Sequence, residues 1–270
     1  MTPSEPNGDA PVLLTGASGN LGRVLAPALA AHGVSLRLTD IAPFPDELPE
    51  GAQFTRADLE DGVTVLRLAE GCRAILHFGG VSVERPFEEV IGPNIRGLFH
   101  IYEAARRERA RVVFASSNHT IGFHERSERL DADCALQPDG YYGLSKAYGE
   151  LMGRLYLDKH GVESVHIRIG SCFAEPVDAR MLSTWLSFAD LARLVRACLA
   201  APQVGCATIW GTSANPASWW DADDRALLGW EPKDSAEAFR HKVGRLRSND
   251  PVIESHMGGA YCAEGYTRPR

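Results

Sequence analysis

A doubly wound parallel α/β sheet of Rossmann type, followed by a small C-terminal substrate-binding region, is the architecture expected of this 270-residue sequence. Short apolar runs alternate with helix-patterned stretches up to residue 170. The first apolar run leads straight into Gly16-x-x-Gly19-x-x-Gly22. Tyr142 and Lys146 then stand four residues apart in a later helical pattern, about 120 residues beyond the glycines.

In chain order, residues 1–10 are polar with Pro and Gly and read as a frayed tail. Residues 12–15 read as a buried strand, and 21–32 as a helix ended by Gly33. A second strand covers 35–39 and ends at Asp40; a short third covers 53–56. A helix follows over 63–70, then a strand over 74–78 that runs into Gly79-Gly80. A long helix is expected over 94–107, a strand over 111–115, a helix over 141–160 with Gly161 just past its end, and a strand over 165–169. Strands alternating with helices imply a parallel sheet covered on both faces, and right-handed crossovers wind it doubly. Beyond Gly170 the alternation loosens to a helix over 189–199, a strand over 206–210, and loops around Trp219-Trp220 and 228–232. The chain thus divides into a dinucleotide-binding core, 1–170, and a smaller region, 171–270, that returns elements to the core at about 189–210. From Ser248 the chain is rich in Gly and polar residues, as in a flexible tail or an arm laid on a neighbouring subunit.

Composition narrows the class. Hydrophobic content of 44% and charged content of 23% are ordinary for a globular protein. A net charge of −7 argues against nucleic acid as a partner. The six cysteines show no C-x-x-C and no metal spacing, which fits a reducing compartment and no metal site. The start is neither basic nor apolar, and no run approaches the roughly 18 apolar residues of a membrane span, so the cytoplasm is expected and no membrane contact.

The glycine motif follows a strand and opens a helix, the context of a pyrophosphate cradle. Gly16 allows the tight turn, Gly19 lets backbone approach the phosphates, and Gly22 lets helix and strand lie close, while the amides of the helix start at Asn20 and Leu21 face the ligand. Asp40, 24 residues after Gly16, suits the adenosine ribose hydroxyls and repels a 2′-phosphate; Ile41 and Ala42 offer no cation for one. NAD is therefore expected rather than NADP. Asp58-Leu59 would flank the adenine, with a helix N-cap as the other role open to Asp58. Phe78-Gly79-Gly80 ends the fourth strand at the cofactor edge, and Asn94 either joins it or caps a helix.

Residues i and i+4 share a helix face, so Lys146 lies one turn from Tyr142. A phenol titrates near 10, and a cation at ~4 Å is worth about 4 kcal/mol at an effective dielectric near 20, enough to lower it by two to three units. Tyr142, not Tyr141, is the expected base, because only Tyr142 has a lysine at i+4. Ser117, past the fifth strand, is expected to bond the reacting oxygen, with Asn118 and His119 lining the substrate side.

The glycine motif, Asp40, the Ser117 strand end and Tyr142-x-x-x-Lys146 together resemble the extended short-chain dehydrogenase/reductase family over nearly the whole chain. His77-Phe-Gly-Gly-Val-Ser82, Phe114-Ala-Ser-Ser-Asn-His-Thr-Ile-Gly122, Arg168-Ile-Gly-Ser-Cys172, Arg180-Met-Leu-Ser-Thr-Trp185 and Trp210-Gly-Thr-Ser-Ala-Asn215 are similar to its uronate dehydrogenase branch. The resemblance implies oxidation of a free hexuronate, D-glucuronate or D-galacturonate, at C1 to the aldarolactone, with NAD⁺ taking the hydride. By position it implies Ser117, Tyr142 and Lys146 as the catalytic set. Ser82, Ser117, Asn118, His119, Tyr142, Ser171 and Arg180 fall on the substrate side, Ile169 on the cofactor side, and a homo-oligomer is expected. Arg180 can hold the C6 carboxylate bidentately; Arg168 competes by charge alone and otherwise serves as a structural ion-pair partner. Trp219-Trp220 could stack on a sugar or pack internally. Three other readings remain open: a sugar-nucleotide epimerase, dehydratase or reductase on the same fold, a different sugar or hydroxysteroid dehydrogenase, and an NAD-sensing regulator without turnover, which would be expected to lack the Tyr/Lys pair.

Overall fold

The strands are β1 (Val12–Thr15), β2 (Leu36–Asp40), β3 (Gln53–Arg56), β4 (Ala74–His77), β5 (Arg111–Ser117), β6 (Ser164–Ile169), the short β7 (Ser171–Cys172) and β8 (Trp185–Leu186), and β9 (Cys206–Gly211). Seven of them form one sheet in the order β3-β2-β1-β4-β5-β6-β9, every neighbour parallel, in a computed structural model that describes residues 10–268. The expected frayed start therefore lies outside the described residues except for Ala10. β7 and β8 pair separately beside the main sheet.

Apolar runs without polar alternation predict strands buried on both faces, and β1 shows how. Val12 and Leu14 point into one core layer and Leu13 into the other, all 0% exposed. The helices are α1 (Asn20–Ala30), α2 (Gly62–Ala69), α3 (Phe87–Val90), α4 (Gly97–Glu108), α5 (Tyr141–His160), α6 (Met181–Thr184), α7 (Phe188–Ala200), α8 (Arg240–Val243), α9 (Pro251–Ser255) and α10 (Ala260–Ala263). Leu25 and Leu29 of α1, with Leu191, Leu194 and Val195 of α7, fill one layer. Val65 of α2, Leu98, Ile101 and Tyr102 of α4, and Met152 and Tyr156 of α5 fill the other. Gly161 ends α5 in the left-handed conformation (φ 68°), its N–H donating to Leu157 O as a helix C-cap should.

Two expectations are corrected here. The helix expected from residue 94 begins at Phe87 and continues to Glu108 through a π-helical stretch, Ile91–Arg96. Gly92-Pro93 reads as a break, but Pro93 only lacks a donor, and the helix widens instead of stopping. The described part of the segment after Ser248 is not a free tail. α9 and α10 fold back on the same chain, with Met257 and Cys262 buried. Arg126 ties the segment down through the carbonyls of Ile253 and His256 and the carboxylate of Glu254. Trp220 is likewise internal, stacked on Trp210 at 4.9 Å.

Chain order reverses between β1 and β4: β2 and β3 lie to one side of β1, while β4, β5, β6 and β9 lie to the other. In a sheet of this kind the crevice at that reversal, beyond the carboxyl ends of the strands, is where a ligand sits.

Candidate active site

A cleft of about 920 Å³ opens at that point and runs from the glycine turn to Arg180 and Tyr261. At its β1 end the backbone comes very close: Gly16 holds φ 71°, and a Cβ there would lie 2.4 Å from Phe78 O. A Cβ on Gly22 would meet Gly16 O at 2.2 Å, whereas one on Gly19 would meet only Gly16 O, at 3.3 Å. The turn is thus tight behind and open in front. No side chain caps α1 and its first turn holds no acid, so its amides face the cleft, as a pyrophosphate requires. Asp40 is pre-set by the amides of Ser18 and Ala42, both 3.0 Å away, which leaves lone pairs for ribose hydroxyls. Asp58, Leu59, Phe78, Gly79, Gly80 and Ile169 line the same cleft. Asp58 closes its own turn by accepting from Glu60 N, and the α2 cap falls to Asp61. These residues fit a dinucleotide.

One cation does lie beside Asp40: Arg56, whose Nε donates to Ile41 O at 2.6 Å. Asp40→Ala is therefore expected to weaken NAD⁺ about tenfold and to narrow the preference over NADP⁺, with Arg56 free to meet a 2′-phosphate. Dissociation constants for both dinucleotides check this.

Tyr142 and Lys146 enter the cleft from the first turns of α5. Glu84, from the loop after β4, sets the helix start by accepting from Tyr141 N (2.8 Å) and Tyr142 N (2.9 Å), a carboxylate at a helix N-terminus. Tyr142 is buried, while Tyr141 is 50% exposed against Phe87. Ser117 hydrogen-bonds the Tyr142 phenol and draws its pKa down, but burial outweighs this and pushes the phenol above its ordinary 10, helped by Tyr261 and Asp139. In the chain without its cofactor, the charge of Lys146, expected from the spacing to lower the phenol, does not offset this burial. Its Nζ is 5.6 Å from the Tyr142 ring centroid and 4.9 Å from that of Phe114.

Burial also lowers the Lys146 ammonium from 10.5 to about 8. The unfolded chain then binds this proton up to a higher pH than the folded one. The cost to stability is complete below pH 8 and fades as pH rises toward 10.5. Lys146→Met is expected to stabilise the chain by about 1–3 kcal/mol at pH 7 while abolishing turnover, the contact with Phe114 offsetting part of the gain. Melting temperatures from pH 7 to 10.5 check it, since the advantage must shrink over that range.

At the far end, Arg180 donates Nε to Met257 O (2.7 Å), Nη1 to Ser171 Oγ (3.2 Å) and Nη2 to the amide oxygen of Asn118 (2.6 Å), whose nitrogen donates to Ile169 O (3.1 Å). Desolvation, with Arg126 nearby, lowers its guanidinium to about 10. Among the described residues it makes no ion pair. Arg168, the competing arginine, is held bidentately by buried Glu150 (2.9 and 2.8 Å) beneath the sheet and is structural.

Ser82, Ser117, His119 and Ser171 line the cleft as expected. Two expected residues do not. Asn94 is buried behind the wall, where it clamps the loop after β4 through Val81 N and O and bonds Ser145 Oγ. It lies inside the π-helical stretch and caps no helix; its amide holds the loop that follows β4. Asn118 is 1% exposed and serves the cleft from behind, through Arg180. Glu84, Tyr261 and Gly258 were missed. Gly258 and Tyr261 line the cleft from the segment that read as a tail, and no local pattern in it announces a site.

A Rossmann sheet with a dinucleotide cradle and a Tyr/Lys pair at its switch point defines a nicotinamide-dependent oxidoreductase, and residues 12–228 match the NAD dependent epimerase/dehydratase family, to which the chain belongs. Within it the chain falls in the uronate dehydrogenase branch. It is 51% identical over 257 residues to the uronate dehydrogenase of Pseudomonas syringae pv. tomato, covering 94% of each chain. The crystal structure of uronate dehydrogenase from Agrobacterium tumefaciens superposes with a TM-score of 0.89 at 45% identity, over 94% of this chain and 97% of that one; a tyrosine-to-alanine mutant of it, complexed with NAD, matches equally. Glucuronic acid dehydrogenase from Chromohalobacter salexigens gives a TM-score of 0.89 at 42% identity, over the same shares.

Proposed function

We propose that the protein oxidises a free cyclic hexuronate, D-glucuronate or D-galacturonate, at C1 to the aldarolactone with NAD⁺. The observation that carries this reading is Arg180. Three of its five N–H groups are engaged by Met257, Ser171 and Asn118, its side chain lines the cleft, and among the described residues no carboxylate pairs with it. A desolvated guanidinium of this kind suits a carboxylate on the ligand.

In this reading Tyr142 takes the proton from the C1 hydroxyl, and Ser117 donates its hydroxyl proton to the same oxygen. Lys146 supplies positive charge beneath the phenolate. NAD⁺, when bound, would supply the hydride acceptor for C1 and a cationic ring that favours the phenolate. The amides of the α1 start, Asp40 and Lys146 would hold the cofactor. Ser82 and His119 offer partners for the sugar hydroxyls, each of which needs one once desolvated. Arg180 fixes the carboxylate at the opposite end, so that its binding energy orients C1.

The folded-back C-terminal segment supports a monosaccharide over a nucleotide sugar, because Gly258 and Tyr261 wall the substrate end. We also read residues 1–170 as the cofactor half and 171–270 as the substrate region. A homo-oligomer in the cytoplasm fits the family and the six free cysteines. Among the described residues no helix is long and apolar enough to cross a membrane.

NADH absorbance with glucuronate, galacturonate, glucose and UDP-glucuronate tests the substrate. Formation with free uronates alone is expected. Signal with UDP-glucuronate and silence with free uronates would move the activity to the nucleotide-sugar branch.

A further inference from the structure

Asp139, buried beside the reacting groups and paired with His119, has no part in the steps above. Asp139 stands on the turn before α5 with its side chain 0% exposed, its Oδ2 2.6 Å from His119 Nδ1. Three glycines from separate segments enclose that carboxylate. A Cβ on Gly122 or on Gly258 would lie 1.9 Å from Oδ2, and one on Gly143 would lie 3.0 Å from Oδ1. Among the described residues Oδ1 has no hydrogen-bond partner. The other contact of Oδ2 is the weak Cys262 Sγ donor at 3.9 Å. The carboxylate is therefore committed to the imidazole.

The imidazole is held as firmly. It stacks on Tyr261 at 4.1 Å and 17°, and meets the edge of Tyr142 at 5.8 Å and 65°. Its own backbone is pinned as well, His119 N donating to Ser117 Oγ at 3.2 Å.

An ionised carboxylate only accepts, so Nδ1 carries a proton and, in the neutral ring, Nε2 carries the lone pair. We infer that Asp139 is a positioning residue that locks His119 in the Nδ1-protonated tautomer, so that Nε2 accepts a hydrogen bond from a ring hydroxyl of the sugar while Tyr261 holds the imidazole plane. This rests on the uronate reading for its ligand. It supplies an acceptor that Arg180, a donor only, cannot. A hydroxyl with its proton satisfied is bound, and a deoxy or O-methyl position there is rejected.

The test pairs a spectrum with kinetics. Long-range ¹H–¹⁵N correlation on histidine-labelled protein, with His119 assigned by its loss in His119→Phe, reads the tautomer directly. Nδ1–H is expected in the wild type. In Asp139→Asn, KM for the uronate should rise about tenfold, kcat should change less than about threefold, and the NAD⁺ dissociation constant should stay put, as for one lost substrate hydrogen bond. A wild-type His119 protonated at Nε2 overturns the inference. So does a folded Asp139→Asn with unchanged KM, or one whose kcat collapses at constant KM, which would make the pair a proton carrier. Should Asp139→Asn fail to fold, the wild-type tautomer decides alone. Silence of the wild type toward every uronate would instead overturn the substrate reading, while the tautomer remains readable.

Discussion

Tyr142→Phe is expected to lower kcat about 10³–10⁴-fold and to leave NAD⁺ affinity unchanged. Only the phenolic oxygen is lost: the ring keeps its buried place on the first turn of α5, beside His119 and over Lys146. The glycine turn and Asp40 are untouched. General acid–base catalysis by a positioned group contributes about 10²–10⁴-fold, and the upper part applies where no other group can take over. Lys146 is the nearest alternative, and its Nζ points at the rings of Phe114 and Tyr142 rather than at a second acceptor. Burial holds the phenol above its ordinary range in the chain alone, so wild-type kcat/KM should rise with pH through the neutral range and above. Residual activity of Tyr142→Phe should lose that slope. Equilibrium dinucleotide titration and a pH–rate profile check both halves.

Arg180→Met is expected to cost about 10²–10³-fold in kcat/KM for uronates and almost nothing for the corresponding neutral hexose, so that discrimination between them disappears. Removing one partner of a desolvated charge pair costs about 2–5 kcal/mol. Met keeps the apolar bulk of the stem and gives up the fork. Arg180→Lys should rescue little, because an ammonium cannot span Met257 O, Ser171 and Asn118 while also meeting a carboxylate. Parallel kinetics on uronate and hexose, with the melting temperature as a control for the C-terminal segment, check this. A variant that keeps its preference for uronate would remove Arg180 from the carboxylate site.

Much of this site is legible along the chain because its parts sit where periodic patterns end. Asp40 and Ser117 end their strands, and Gly16 and Gly79 follow theirs by one or two residues, so a strand assignment alone places them at one sheet edge. Tyr142 and Lys146 need only helical spacing. What local pattern does not carry is contact across the chain. Asn94 faces away from the cleft because a π-helical stretch rotates it inward, which Gly92-Pro93 conceals. Asn118 directly follows a recognisable strand end yet acts through a guanidinium 62 residues on. The closing segment is the clearest case. Nothing periodic marks residues 257–262, because carbonyls held by Arg126 and Arg180 fix them, and those partners lie more than 70 residues upstream. Lys146 marks a different limit. Spacing puts it beside Tyr142, but only the packed structure shows that burial outweighs its charge.

The most direct test of the central claim follows the hydrogen on C1. Glucuronate carrying deuterium at C1, incubated with the protein and NAD⁺, should give deuterated reduced cofactor in one-to-one ratio with an aldarolactone that has lost its label, as read by proton NMR. Label retained in the sugar while NADH forms would place the oxidation at another carbon and contradict the account, including the orientation that Arg180 is said to impose.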